Sequence, residues 1–285
     1  MPDFKRFLPA RFRSDQTVIP VVRLNGSIMA GGSQFRSNLN LASVSTQLTK
    51  AFSDKKAPVI AISINSPGGS AVQARLIYKR IRDLAEEKDK KVIVFLEDVA
   101  ASGGYMIACA GDEIIADPSS IVGSIGVISA GFGFVGLIDK LGIERRVYTA
   151  GQNKSVLDPF RPEKEEDIGH LKDLQLEVHK TFIDLVKSRR GDKLADDPDL
   201  FTGKFWSGVS GLGLGLVDGL GDLRSTLKAR YGEKVKLKLI TAPKGLFGRR
   251  TPGAAARIDG EMLAGALQQG LNAIEERALW SRYGL

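Results

Sequence analysis

Hydrophobic positions along the chain follow two alternating rhythms. Residues 17–26, TVIPVVRLNG, form an apolar run closed by a turn glycine; PVIAISINSPGGS (58–70) and KVIVFLE (91–97) begin with similar runs. Between these runs, apolar residues return every three to four positions, the mark of a helix with one covered face. Leu41, Val44, Leu48 and Phe52 do so in 40–52, and Leu76, Ile77, Ile81 and Leu84 in 71–87. Further along, the pattern predicts a short strand in DEIIADP (112–118) and a glycine-punctuated apolar run in 122–134. A helix is expected in GLIDKLGI (136–143) and a strand in ERRVYTAG (144–151). Strands alternating with helices argue for an α/β fold around a mostly parallel sheet. The strands lack strict alternation, as expected where both sheet faces are covered. Right-handed crossovers bring the C-terminal strand ends to one edge. SPGG (66–69) and ASGG (101–104) each follow a strand, so both belong on that edge.

After residue 151 the texture changes. Residues 163–191 predict a long amphipathic helix with Ile168, Leu171, Leu174, Val178, Phe182 and Leu185 on one face. A glycine-rich stretch at 202–223 follows, with Trp206 as its expected anchor, then a helix in 222–232 and a strand in 234–243. Residues 243–257 read as a linker. Residues 257–280 read as a terminal helix, with Met262, Leu263, Leu267, Leu271, Ile274 and Leu279 on its apolar side. The chain thus divides into a basic N-terminal arm (1–16), one α/β domain (17–241), and a linker with a terminal helix (242–285). The long helix at about 163–190 is expected to serve assembly.

Composition narrows the classes of function. The chain has 285 residues, 43% of them hydrophobic, enough for a substantial core. Its 41 Lys and Arg against 33 Asp and Glu leave a formal charge of +8. The basic excess is dispersed apart from Lys5, Arg6, Arg11 and Arg13. No arginine-rich block or finger spacing points to nucleic acid. A single cysteine, Cys109, rules out an internal disulfide, fits a reducing compartment and is expected to be a buried small hydrophobe. No apolar run approaches 18 residues, and the first 16 lack the apolar core of a secretory signal. The expectation is a cytoplasmic protein with at most peripheral membrane contact.

The chemistry centres on DVAASGGYMIACAG (98–111). Acyl transfer needs a nucleophile, a base and an oxyanion hole. Ser102 follows a strand and opens a helical pattern, and its small neighbours leave room for a substrate. The Gly103 N–H lies beside that hydroxyl, and SPGG can supply a second donor, since glycine permits close backbone approach. For the base, two choices stand open. His170 and His179, the only histidines, both sit on the long helix with no carboxylate in a triad pattern. Lys154, in YTAGQNKSVLDPF (148–160), follows an expected strand end, with Asp158 as its closest carboxylate in sequence. A free lysine has a pKa of about 10.4 and must be buried to act near neutrality, so Lys154 is expected to be buried.

INSPGGS, AASGGYMIA, DPSSIVGSIGV and the lysine of TAGQNKSVLDPF, taken in this order, resemble the signal peptide peptidase A family, including its shorter SohB-like members. TGKFWSGVSGLGLGLVDGLGDL extends the resemblance, which covers about residues 18–223. These are serine–lysine peptidases of the Clp/crotonase-like fold, with ββα and βα units repeated around a mostly parallel sheet; here a C-terminal helical extension is added. The resemblance implies Ser102 as nucleophile, Lys154 as general base, Ser124 as the hydroxyl that orients the lysine, and Gly69 and Gly103 as oxyanion-hole backbone. It implies ring- or dome-shaped homo-oligomers, hydrophobic or unfolded peptide substrates such as signal-peptide remnants, and no cofactor or metal. The membrane span of many relatives is not seen here, and GKFW replaces the usual GRxW. The alternatives are a non-catalytic peptide-binding scaffold of the same fold, a caseinolytic-type protease with a histidine base, and a crotonase-type acyl-CoA enzyme. No histidine falls between Ser102 and Lys154, and the crotonase-type enzyme needs neither of those two residues.

Overall fold

The computed structural model describes residues 16–31, 38–151, 153–241, 274 and 276–285. Residues 1–15 of the N-terminal arm, the 243–257 linker and Met262, Leu263, Leu267 and Leu271 of the terminal helix lie outside these residues. Among the described residues eight strands make one sheet: β1 (Val18–Asn25), β2 (Ile60–Ser66), β3 (Val92–Ala101), β4 (Glu113–Ala116), β5 (Ile121–Gly123), β6 (Phe205–Ser207), β7 (Gly219–Leu220) and β8 (Lys236–Leu239). The main path runs β6-β5-β3-β2-β1-β8, and β7 pairs with β4. All pairings are parallel except β5 with β6. On the side away from β2, β3 has two neighbours in succession. β4 pairs with Ile93–Leu96, and β5 pairs with Val99–Ala101. The strand expected to stop at residue 97 therefore continues to Ala101, because β5 extends the ladder to the edge of the turn.

Helices α1 (Leu41–Phe52), α2 (Ala71–Lys88) and α3 (Gly103–Ala108) cover one face, joined by the C-terminal half of α5 (Glu165–Arg190). The short helices α4 (Val135–Lys140) and α6 (Gly208–Gly213) and the longer α7 (Leu223–Tyr231) complete the elements of residues 16–241, with a 3₁₀ turn at Gly191–Lys193, and residues 276–281 are helical. Asn40 caps α1 reciprocally with Ser43, and the Ser70 side chain caps α2. Both helices therefore begin where a side chain can satisfy a free N–H. The core between sheet and helices includes Ile62, Ile64, Val94, Leu48, Phe52 and Tyr105, all nearly inaccessible. On the opposite face, Ile19, Val21, Ala61, Ile93 and Phe95 pack with Leu227 of α7. In α2, Ala74, Ile77, Ile81, Leu84 and Ala85 are buried, while Leu76 lies outside the buried stripe and is exposed.

The strand expected over 144–151 does not form. These residues have no ladder partner and are almost wholly exposed, and Tyr148 is 92% accessible. A β-rich sequence still needs a neighbouring backbone to take its hydrogen bonds. Among the described residues no helix is long and apolar enough to cross a membrane.

Candidate active site

The end of β3 delivers Ser102 to the sheet edge. Ala100 and Ala101 are fully buried, and the chain then turns straight into α3. Ser102 is held at φ +51°, ψ −121°, outside the usual regions for a residue with a Cβ. Its neighbours determine this conformation: the Ser102 N–H donates to the Gly123 carbonyl at 2.8 Å, and the Met106 N–H donates to the Ser102 carbonyl at 3.0 Å. Although Ser102 occupies the N-cap of α3, its hydroxyl makes no capping bond. The side chain is half-buried.

The SPGG turn packs directly beside it. Gly68 and Gly69 have φ +99° and +134°. A Cβ on Gly68 would lie 2.8 Å from Ser102 Cβ, and one on Gly69 would lie 2.1 Å from the Ile28 carbonyl oxygen. Glycine is required at both places. Gly103 opens α3, so its N–H has no acceptor in the preceding turn of helix. Around Gly69, the Ile28 N–H donates to the Gly68 carbonyl and the Ser70 N–H to the Ile28 carbonyl, so the Gly69 N–H is not used in this bridge. Across the turn, Ser124 follows β5 at φ +53°, and its N–H donates to the Lys204 carbonyl at 2.7 Å.

These groups line a cleft of about 620 Å³. Ser102, Gly103 and Met106 border it, as do Gly69 and Ser70 of the turn and Ser124, Val127 and Ile128 after β5. Three of the four expected site residues besides the nucleophile, namely Gly69, Gly103 and Ser124, thus border the same space as Ser102. Lys154 does not line it. The lysine is exposed, in a turn of an arm spanning 127–161, and the burial expected for it is not met within one chain. No strand precedes it, because 144–151 has no partner. The arm is held by its own contacts: Phe134 stacks on Phe160 at 5.4 Å, Arg145 lies over the Phe160 ring, and the Phe134 N–H donates to the Pro159 carbonyl at 2.7 Å.

His179, one of the two histidines open as the base at the level of sequence, lines the cleft together with Val178 and Phe182 of α5. Its Nε2 lies 3.0 Å from the Ile125 carbonyl oxygen, and His170 remains exposed. The helical stripe that places Phe182 against the core was visible in the sequence; that the same helix crosses the strand ends was not. Cys109, at the end of α3, is fully buried as expected, and burial pushes its thiol up to about 12.

Comparison with known proteins gives this geometry a family. The chain is 63% identical over 285 residues to a protein of Brucella abortus named Na(+)/H(+) antiporter NhaA; the match spans 99% of this chain and 39% of that protein. Protease 4 of Salmonella typhi is 31% identical over 77% of this chain and 35% of its own length. The chloroplastic serine protease SPPA of Arabidopsis thaliana is 33% identical over 59% of this chain and 25% of its own length. The chain therefore spans less than half the length of each of these relatives. Residues 85–238, which carry the β3–α3 turn, Ser124 and the arm, match the family model for peptidase family S49, and the chain belongs to that family.

Proposed function

We propose that this chain is a serine endopeptidase in which Ser102 is the nucleophile and Lys154, supplied by a neighbouring copy, is the general base. The observation that carries this reading is the strained Ser102. Its hydroxyl is not used in capping, and it faces a cleft beside the Gly69 and Gly103 N–H groups. Neutral Lys154 takes the Ser102 proton as the oxygen attacks a peptide carbonyl. The two N–H groups stabilise the tetrahedral oxyanion. The lysine then returns the proton to the leaving amine, and water, activated in the same way, releases the acyl group. Ser124 orients the lysine. The substrates are hydrophobic or unfolded peptides that add as a strand along the cleft, whose walls include Val127, Ile128 and Met106.

Supply from a neighbour follows from where Lys154 sits. It is exposed, on an arm whose Phe132, Leu137, Leu141 and Ile143 are 54–64% accessible. Leu174, Leu176 and Val178 of α5 are exposed as well. Ring closure by identical heterologous contacts covers these surfaces and carries each lysine to the next nucleophile. The peptidase role attaches to the portion of the Brucella relatives that this chain matches, in a cytoplasmic or membrane-peripheral setting.

The test uses two inactive variants. Ser102→Ala and Lys154→Ala each abolish cleavage of an unfolded reporter peptide. Mixing them under conditions of subunit exchange restores about a quarter of wild-type activity, because hybrid sites join an intact serine to an intact lysine. A mixture as inactive as its components overturns the shared site, and full activity of either variant alone overturns the dyad. His179→Gln retains activity, and its complete loss would point to histidine as the base.

A further inference from the structure

The far end of the chain supplies one wall of the cleft. Residues 276–281 are helical, and Leu279, Arg282 and Tyr283 border the space that holds Ser102 and Ser124. The Tyr283 ring meets Phe205 of β6 edge-on, with centroids 5.1 Å apart and planes at 77°. Its hydroxyl oxygen lies 3.3 Å from Ser124 Oγ and 3.5 Å from the Pro67 carbonyl oxygen, within reach of both as a donor. The three groups around this tyrosine come from separate elements. Pro67 begins the turn that presses Gly68 on Ser102, Ser124 closes β5, and Phe205 lies opposite Gly123 in the β5–β6 register. Phe205 remains 46% accessible even with Tyr283 against it, a large apolar ring held by a strand at the rim of the cleft.

We infer that Phe205, the Pro67 carbonyl and the Ser124 hydroxyl form a subsite for the tyrosine side chain of a bound peptide, and that Tyr283 occupies it in the resting chain. The inference rests on reading the cleft as a peptide site, and deepens it by naming the side chain selected. An apolar body against an aromatic edge with a polar tip at two oxygens suits tyrosine. Phenylalanine keeps the ring contact alone, and leucine keeps neither. The segment 279–285 is then an intramolecular ligand that an incoming peptide must displace.

Binding measured without turnover tests this. A fluorescein-labelled peptide, Ala-Leu-Trp-Ser-Arg-Tyr-Gly-Leu (the sequence of 278–285), is titrated against the full chain carrying Ser102→Ala, with anisotropy as the readout. Adding Tyr283→Ala tightens binding about ten-fold, since the chain's own tyrosine no longer competes. In that background, leucine in place of the peptide tyrosine weakens binding about ten-fold and phenylalanine by less; Phe205→Ala removes most of the difference between the tyrosine and leucine peptides. Equal affinity for the tyrosine and leucine peptides overturns the subsite without requiring any substitution at Phe205. Unchanged affinity on Tyr283→Ala overturns its occupation by the chain's own end. Tyrosine-selective binding by a protein that cleaves nothing leaves the subsite standing and removes the peptidase; cleavage without tyrosine preference does the reverse.

Discussion

Ser102 illustrates how one residue's conformation depends on several neighbours. Its positive φ costs on the order of 1–3 kcal/mol, offset by the bond to Gly123 and by the tight packing of Gly68. Two residues on, Gly104 serves packing alone: a Cβ there would lie 2.5 Å from the Ser66 carbonyl oxygen. Gly104→Ala should destabilise the chain by about 1–3 kcal/mol, read as a lower urea midpoint with an unchanged slope. Cys109 should behave as a hydrophobe. With its thiol pushed up to about 12 by burial, it should resist a thiol-reactive dye in the native state at neutral pH and react once guanidinium unfolds the chain. Both residues were legible as packing positions in the sequence, because small residues between a strand and a helix have few other uses. The role of His179 was not legible, since nothing local marks a helical histidine as facing a cleft.

Among the elements, α5 determines what covers Ser102, and its C-terminal end is clamped by charge. Arg189 donates to the Cys109 and Gly111 carbonyls at 2.9 Å each. Arg190, nearly inaccessible, makes two bonds to Asp218 at 2.8 and 3.0 Å. Asp218 also accepts from Lys193 and from the N–H of Ile114, the second residue of β4. Burial alone would push the Asp218 carboxyl up; the bonds from Arg190, Lys193 and Ile114 outweigh it and hold it below the usual carboxylate range. A lowered carboxyl contributes stability that is present above its unfolded pKa and lost as pH falls through the folded value. Wild-type stability should therefore fall as pH drops from about 5 toward 2, and Asp218→Asn should flatten that slope. Asp218→Ala leaves Arg190 buried without its charge partner, at a cost of about 3–5 kcal/mol in urea unfolding at neutral pH. The amphipathic stripe of α5 was plain from spacing. This clamp was not, because Arg190 and Asp218 lie 28 positions apart.

At the scale of the molecule, one chain has a nucleophile in a cleft and its proposed base on an exposed arm. The arm's apolar residues are costly to leave in water, and the 144–151 segment lacks a strand partner; both features favour a second copy. Leu137→Asp with Ile143→Asp should dissociate the proposed assembly in light scattering and lower cleavage by at least about ten-fold, with the thermal midpoint of the single chain little changed. Both side chains are more than half exposed, so a charge there does not disturb the core. An assembled and fully active double variant would place the contact elsewhere.

Periodicity and turn chemistry were enough to predict the alternation of strands and helices from β1 to β4, the helices α4, α5 and α7, the strand β8, the shared edge of the two glycine-rich turns and the position of Ser102. Each depends on residues a few positions apart, and a repeat of two or 3.6 residues records which face of an element must be covered. That repeat does not record what covers it. Whether 144–151 becomes a strand depends on a backbone beside it, and whether Lys154 is buried depends on what packs against the 127–161 arm. Tyr283 reaches Ser124 across 159 positions, and His179 reaches the Ile125 carbonyl across 54. Such meetings follow from how finished elements pack, and only the tertiary structure brings them together.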